Sequence, residues 1–454
     1  MGKTVKLSGR IIKAMGLFTG VQAVMILLSI VRTKLVAVWL GPAGVGLNAI
    51  FISTQELLVS AVGLNLRTGG VRELSAAPAS ERSRRMGVLL RVAMMLAVGG
   101  CVATVALSPA LSYWTLSTTS EWWCFALLGV GVGAGIYLDA DLAALQAAGK
   151  LKALARVSFA ASLACTLVSV PLYYGLRLQA VLPVYLLMTV VYALWARRER
   201  RLCCPAPVMP GYAEAWRSAR PMLRLGIFLT VAAVVGRLTS YLFVVFMSRF
   251  ASEGELGVYQ AGFTLINTYV GVIFTALSTE YYPRLASVSA SRMRMEVFVA
   301  HEFKIVARML MPLMVVFLIA DKLMVRVLYA ESFMPLLPYV DIAVCGMALR
   351  AFSFCVAYVV LARGDGRMYV FLEGTSEILG LVLKIGGYML WGFAGLGVAY
   401  VVEYLVYGCM VVCIYRRYGM RFRGATLRLC AGATALGFAA LMVKYIIQNG
   451  FNLL

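Results

Sequence analysis

Charged side chains stand inside stretches that are otherwise apolar, and eight of them carry the argument: Arg32, Glu56, Arg67, Arg237, Glu280, Arg350, Lys384 and Glu403. A cation at the middle of a membrane span is unfavourable by roughly 2.5–3.5 kcal/mol on translocon-type scales. Five of the eight, namely Glu56, Arg237, Arg350, Lys384 and Glu403, fall near the expected midplane. Facing lipid, they would together cost on the order of 15 kcal/mol, more than the net stability of most proteins. They are therefore expected to pair with one another or to face water in a cavity. Cations outnumber anions in the set, and a cation-rich cavity with low-dielectric walls attracts an anion. The planar fork of arginine suits phosphate or carboxylate oxygens. Arg32, Arg67, Arg237, Arg350 and Lys384 are thus the candidate substrate-binding residues, and Glu56, Glu280 and Glu403 the candidate gating or ion-coupling residues.

For any one of these, a structural ion pair is an equally weighted reading. Lys34 illustrates the bland case: two residues of helix turn it about 200° from Arg32, and its stem can carry the charge to the headgroups. Asp139-Ala-Asp141 has the form of a metal-binding DxD, but alternate positions on a helix point apart, so joint chelation is not expected. The GVGVGAG run at Gly129–Gly135 follows no strand and is expected to serve close helix packing. No Walker motif, CxxC or Cys/His cluster occurs. Neither a metal, a cofactor nor a disulfide is expected, and catalysis is not.

The elements that must position these charges are membrane helices. The chain is 62% hydrophobic and 14% charged, with mean hydropathy +0.86, against about 45–50% apolar and about 25% charged in soluble domains. Apolar runs at 11–40, 43–70, 86–108, 121–146, 153–175, 180–196, 222–248, 256–283, 301–320, 337–362, 369–390, 396–415 and 425–447 are near the roughly 20 residues that a helix needs to cross hydrocarbon. The net charge of +22 concentrates in the N-terminus and every second loop, while the alternate loops and tail hold Arg177, Arg249, Lys322, Arg326 and Lys444. Positive loops stay in the cytoplasm. The charge therefore reports topology, with the N-terminus inside, rather than nucleic-acid binding.

The longest basic loop, from Arg197 to Pro221, divides the chain after six spans and reads as a linker with a short interfacial helix. GPAGV at Gly41–Val45 recurs as GELGV at Gly254–Val258, and AAGKLK at Ala147–Lys152 as GDGRMY at Gly364–Tyr369. The offsets are 213 and 217 residues. The smaller maps Arg67 onto Glu280, opposite charges that could close a mouth. Six spans per half make the repeat parallel, as in some secondary transporters. The expected architecture is an all-α polytopic membrane protein: two six-helix lobes, 1–196 and 222–415, around a central cavity, joined by linker 197–221. A thirteenth span over 416–454 lies outside the repeat.

The segments VRTKLVAVWLGPAGVGLNAIF, LLVSAVGLNLRTGGVREL, ALQAAGKLKALARVSF and LARGDGRMYVFLEGTSEILG together resemble bacterial polysaccharide flippases. These are the lipid-linked oligosaccharide and O-antigen translocases of the multidrug/oligosaccharidyl-lipid/polysaccharide exporter superfamily. The resemblance implies twelve helices around a cationic cavity lined by the first, second, seventh and eighth spans, which here carry Arg32, Glu56, Arg67, Arg237 and Glu280. It implies movement of undecaprenyl-pyrophosphate-linked oligosaccharide across the inner membrane by alternating access. Membrane lipids are then partners, with a polysaccharide polymerase and other assembly proteins beside them. A multidrug exporter of the same superfamily is the nearest alternative, and a membrane glycosyltransferase or polymerase a more distant one.

Overall fold

In hydrocarbon each backbone polar group must be satisfied within its own segment, so these apolar runs fold as helices. The computed structural model describes residues 2–78, 80–252, 254–269, 271, 274, 281, 284–285, 288, 291–422 and 424–451; side chains are described from 28 to 447, except at 76, 151, 221–222, 224–229, 232 and 268–269. Helix dominates, and no strand occurs among the described residues. Among the described residues, eight helices are long and apolar enough to cross a membrane, or nine with one bent pair. Three of them, Leu28–Gly63, Lys152–Cys203 and Gly366–Arg417, each hold two of the predicted spans. The eighth span is described continuously only as far as Tyr269.

Packing divides the chain into two units, Met1–Gly254 and Glu255–Leu454. In the first, α1 (Gly2–Gly63) breaks at Gly41, whose φ of 64° takes it out of the helix just before Pro42. Leu64 and Asn65, both at φ 48°, separate it from α2 (Leu66–Ala76). The second span therefore ends earlier than its hydropathy suggests. The third to sixth spans are α3 (Arg82–Leu116), α4 (Trp122–Ala147), α5 (Leu151–Leu176) and α6 (Val181–Cys203). Gly129 and Gly133 of α4 lie close to α3, where an added Cβ would stand 3.0 and 3.2 Å from the carbonyl oxygens of Cys101 and Ala97, so the glycine run does serve helix packing. The linker forms α7 (Tyr212–Ser218), and the seventh span is α8 (Arg220–Phe250). Since α8 packs along α1 and α2, the packing unit exceeds the first sequence repeat by the linker and one helix.

The second unit begins with α9 (Glu255–Thr264), continued by a π-helical turn over Leu265–Tyr269. The ninth span is α10 (Arg292–Leu328). The tenth is bent by 49° where α11 (Leu337–Cys345) gives way to α12 (Met347–Ala362) at Gly346. The eleventh and twelfth spans are the two arms of α13 (Gly366–Arg417), broken at Trp391 and Gly392. There the chain doubles back, since a Cβ on Gly395 would lie 1.8 Å from the carbonyl oxygen of Gly387. The thirteenth span is α14 (Gly424–Phe451). Arg421, just before it, donates its amide to Glu296 near the start of α10, whereas Lys444 reaches Asp321 near the end of α10. The two helices thus run side by side in one direction, and the added helix follows α10 over most of its length.

The repeat inferred from GPAGV and AAGKLK recurs in the backbone, but the second pair of turns aligns two residues away from the offset of 217 that the sequence suggested. Gly149 ends α4 and Gly364 ends α12, each at positive φ. Lys150 N–H donates to the Leu145 carbonyl (3.1 Å), as Asp365 N–H does to that of Val360 (3.2 Å). This is the Schellman closure of a helix C-terminus, made twice at an offset of 215 residues.

Candidate functional site

Within the first unit, the break at Gly41 gives the two arms of α1 different directions, and each arm contributes one charge. Arg32 is half-buried, with Nη1 3.7 Å from the Met188 sulfur on α6. A thioether is a weak acceptor, so this contact does not neutralise the guanidinium. No carboxylate pairs with Arg32 among the described residues. On the other arm, Glu56 accepts a hydrogen bond from Arg237 Nη1 of α8. Both members of that pair remain about half exposed, at 45% and 51%. Glu56 also acts electrostatically on Tyr185, which lies one turn before Met188 on α6. Residues three apart share a helix face, so a single turn of α6 faces both Arg32 and the Glu56–Arg237 pair. The result is two guanidinium groups and one carboxylate, with net positive charge and unused donors for an anion.

Arg67 stands apart from this cluster. It is exposed at the start of α2, directly after the Leu64–Asn65 break, and makes no ion pair among the described residues. The acid on which its charge acts is Asp139 of α4. Glu280, the partner suggested by the repeat offset, lies outside the described residues. Asp139 and Asp141 take different surroundings, as their helical phase requires. Asp141 is fully buried and paired with Arg200 of α6.

The remaining three candidates meet in the second unit. Lys384 and Glu403, on the two arms of α13, come within 3.5 Å. Gly380 makes room for that carboxylate, since a Cβ there would lie 2.6 Å from Glu403 Cδ. Arg350, in the first turn of α12, donates from Nη1 to Asn267 Oδ1 (2.8 Å) and to the Tyr400 hydroxyl (3.2 Å). Its guanidinium lies 5.1 Å from the ring centre of Phe274 and 5.6 Å from that of Tyr404.

Sequence reasoning missed two buried ionic clusters. Arg200 belongs by sequence to the basic linker, yet it pairs inside the first unit with Asp141. Lys444 belongs by sequence to the outer-side charges, yet its ammonium lies 2.7 Å from Asp321 and 2.5 Å from Asp341. The available signal was the presence of Asp321 and Asp341 beside apolar runs, but no local pattern named their partner.

A family model described as "Polysaccharide biosynthesis protein" matches residues 40–338, a stretch that contains Glu56, Arg67 and Arg237. No curated protein matches the chain. Among solved structures, the fold is similar to lipid II flippase MurJ in an inward closed conformation: TM-score 0.72, 11% identity, covering 96% of this chain and 100% of that one. It is also similar to an inward-facing multidrug resistance MATE family transporter of the MOP superfamily, at TM-score 0.71 and 12% identity over 87% and 94% of the two chains. A third similar structure is a MOP superfamily transporter from Pyrococcus furiosus, described by the reverse polarity of its binding pocket. There the TM-score is 0.62 at 13% identity, over 89% and 93%. At such identities the likeness is one of fold.

Proposed function

The chain belongs to the polysaccharide biosynthesis protein family, and from that premise we propose that it is a flippase for undecaprenyl-pyrophosphate-linked oligosaccharide. It moves this lipid from the cytoplasmic to the periplasmic leaflet of a bacterial inner membrane by alternating access, with its N-terminus in the cytoplasm. The observation that carries the reading is the excess positive charge that α1 and α8 hold beside one face of α6. Arg32 has no acidic partner among the described residues, and Arg237 shares a single, half-exposed carboxylate. Arginine forks bind phosphate oxygens bidentately, so Arg32 and Arg237 hold the pyrophosphate while the polyprenyl tail stays in lipid. Phosphate arriving at Arg237 displaces Glu56, and Glu56 recaptures Arg237 when the lipid leaves. This exchange couples binding to movement of α8 against α1. Glu403, with Lys384, and Glu280 take the remaining gating or ion-coupling roles, and Arg67 guards the basic end. Membrane lipids and the enzymes of glycan assembly are the natural partners.

The test is export of surface glycan in cells that carry only Arg32→Ala or Arg237→Ala protein. Each variant is expected to lose most export while lipid-linked intermediate accumulates. If both variants export normally, the anion-binding assignment is wrong. A multidrug exporter of the same fold would select cations, which the cationic cluster disfavours. Restored drug resistance in a hypersensitive host would favour that reading instead.

A further inference from the structure

Cations buried in membrane helices of the second unit are otherwise matched with acids. Lys384 meets Glu403 and Lys444 meets two aspartates, as the cost of an unpaired buried charge requires. Arg350 is the exception. Its only hydrogen-bond partners among the described residues are an amide oxygen and a phenol, and both are served by Nη1. Nε–H and the two Nη2 protons are left, and these make the side-on edge that arginine presents to a carboxylate. The buried, unpartnered side-chain atoms do not include Nε or Nη2, and the residue itself is only half-buried.

The surroundings are built to hold that edge in place. Phe274 and Tyr404 flank the guanidinium, and Asn267 fixes one end of it from within a π-helical turn. The 49° bend places the start of α12 inside the span. Interrupted helices and π-turns both concentrate at ligand sites in membrane and soluble proteins. Nearby, Lys384 faces Glu403, and the charges of Glu403 and Glu377 both act within this cluster, so the site carries no large positive excess. The open edge of a single fork suits one carboxylate better than a pyrophosphate diester with two negative charges. Aromatic and tyrosyl walls suit the apolar face and hydroxyls of a sugar.

We propose that Arg350 is a specificity residue that binds the carboxylate of an acidic sugar in the transported glycan, separately from the pyrophosphate. The inference rests on the flippase reading and narrows its substrate to glycans that contain a uronic-acid-type residue.

Two measurements test it. Purified full-length protein is titrated with a galacturonic acid trisaccharide, with its methyl ester and with inorganic pyrophosphate, and thermal unfolding is followed. The acidic trisaccharide is expected to raise the melting temperature and the ester is not. Arg350→Gln is expected to weaken the acidic response about tenfold or more, and Arg350→Lys, which keeps the charge and loses the fork, to weaken it partly. Arg237→Ala is expected to lose the pyrophosphate response alone. An equal response to ester and acid, or an acidic response that survives Arg350→Gln, overturns the proposal. The second measurement is the composition of the lipid-linked glycan that accumulates in cells lacking the protein. An acidic sugar supports the proposal. A neutral glycan overturns it and leaves the flippase reading standing, whereas no accumulation overturns both.

Discussion

Arg177 and Gly392 share one backbone conformation, φ 49° and ψ −126° at the first, φ 58° and ψ −134° at the second. Each closes the last hairpin of its repeat, the first between α5 and α6, the second between the arms of α13. The turn is thus a property of the architecture and not of the local sequence. Glycine adopts it freely, but an L-residue with a Cβ is strained there by about 1–2 kcal/mol. Arg177→Gly is accordingly expected to stabilise the protein by about 0.5–1 kcal/mol after glycine's own entropy cost. A melting temperature that falls would show that the Arg177 side chain contributes more than the strain removes.

Glu56 competes with the proposed anion for Arg237. Glu56→Gln should therefore bind undecaprenyl pyrophosphate about tenfold more tightly, since a charged competitor for the fork is gone, while export slows. Native mass spectrometry of the purified variant with that lipid reads the first effect. Weaker binding would remove the exchange step.

Lys444 fastens α14 to α10 and α11 through two carboxylates. Lys444→Met strands both acids in a buried setting, which is expected to cost about 3–5 kcal/mol. Adding Asp321→Asn and Asp341→Asn should return most of it. Denaturation of the single and triple variants in matched detergent separates an ionic fastening from mere packing of the methylene stem.

The linker between repeats is docked on α3. Val208 donates its amide to the Ser83 carbonyl at 3.1 Å, Arg91 donates to that of Pro210 at 3.2 Å, and Arg84 pairs with Glu214 at 2.6 Å. A Cβ at position 87 would fall 1.8 Å from the Val208 carbonyl oxygen, so only glycine admits this path. Gly87→Ala is expected to release 204–211 and to speed its cleavage by added protease several-fold. Unchanged cleavage would mean that the side-chain contacts hold the strap without the backbone fit.

Asp365 caps α13 in the turn after Gly364. The Tyr418 hydroxyl (2.7 Å) and the Met368 amide (3.1 Å) both donate to its carboxylate and hold its pKa below the ordinary value, about 3.9. A depressed folded-state pKa adds stability that is present above the ordinary value and is lost as pH falls through the lowered one. At neutral pH, Asp365→Asn should melt below the wild type. The gap is expected to narrow below about pH 4, as protonation makes the two side chains alike. A gap constant across that range would assign the cap to the amide geometry alone.

Much of this protein follows from sequence. Hydropathy marked thirteen apolar segments, and GPAGV with AAGKLK located the repeat whose turn at Gly149 recurs at Gly364. Both signals are local: burying apolar surface and satisfying the backbone within one helix need no knowledge of neighbours. The energetic case that mid-span charges must pair or meet water was also available, and Lys384–Glu403 and Glu56–Arg237 follow it.

Partner choice was not legible. Lys444, far along the chain, selects Asp321 and Asp341; Arg200 leaves its basic run for Asp141; and Arg350 makes no ion pair among the described residues. Which charges meet depends on how helices distant in sequence rotate and lean together, because Coulomb energy in low dielectric varies steeply with separations of a few ångströms. Hydropathy says that a charge lies in a span, but only the packed bundle decides whether that charge is neutralised or left with an open edge for an anion.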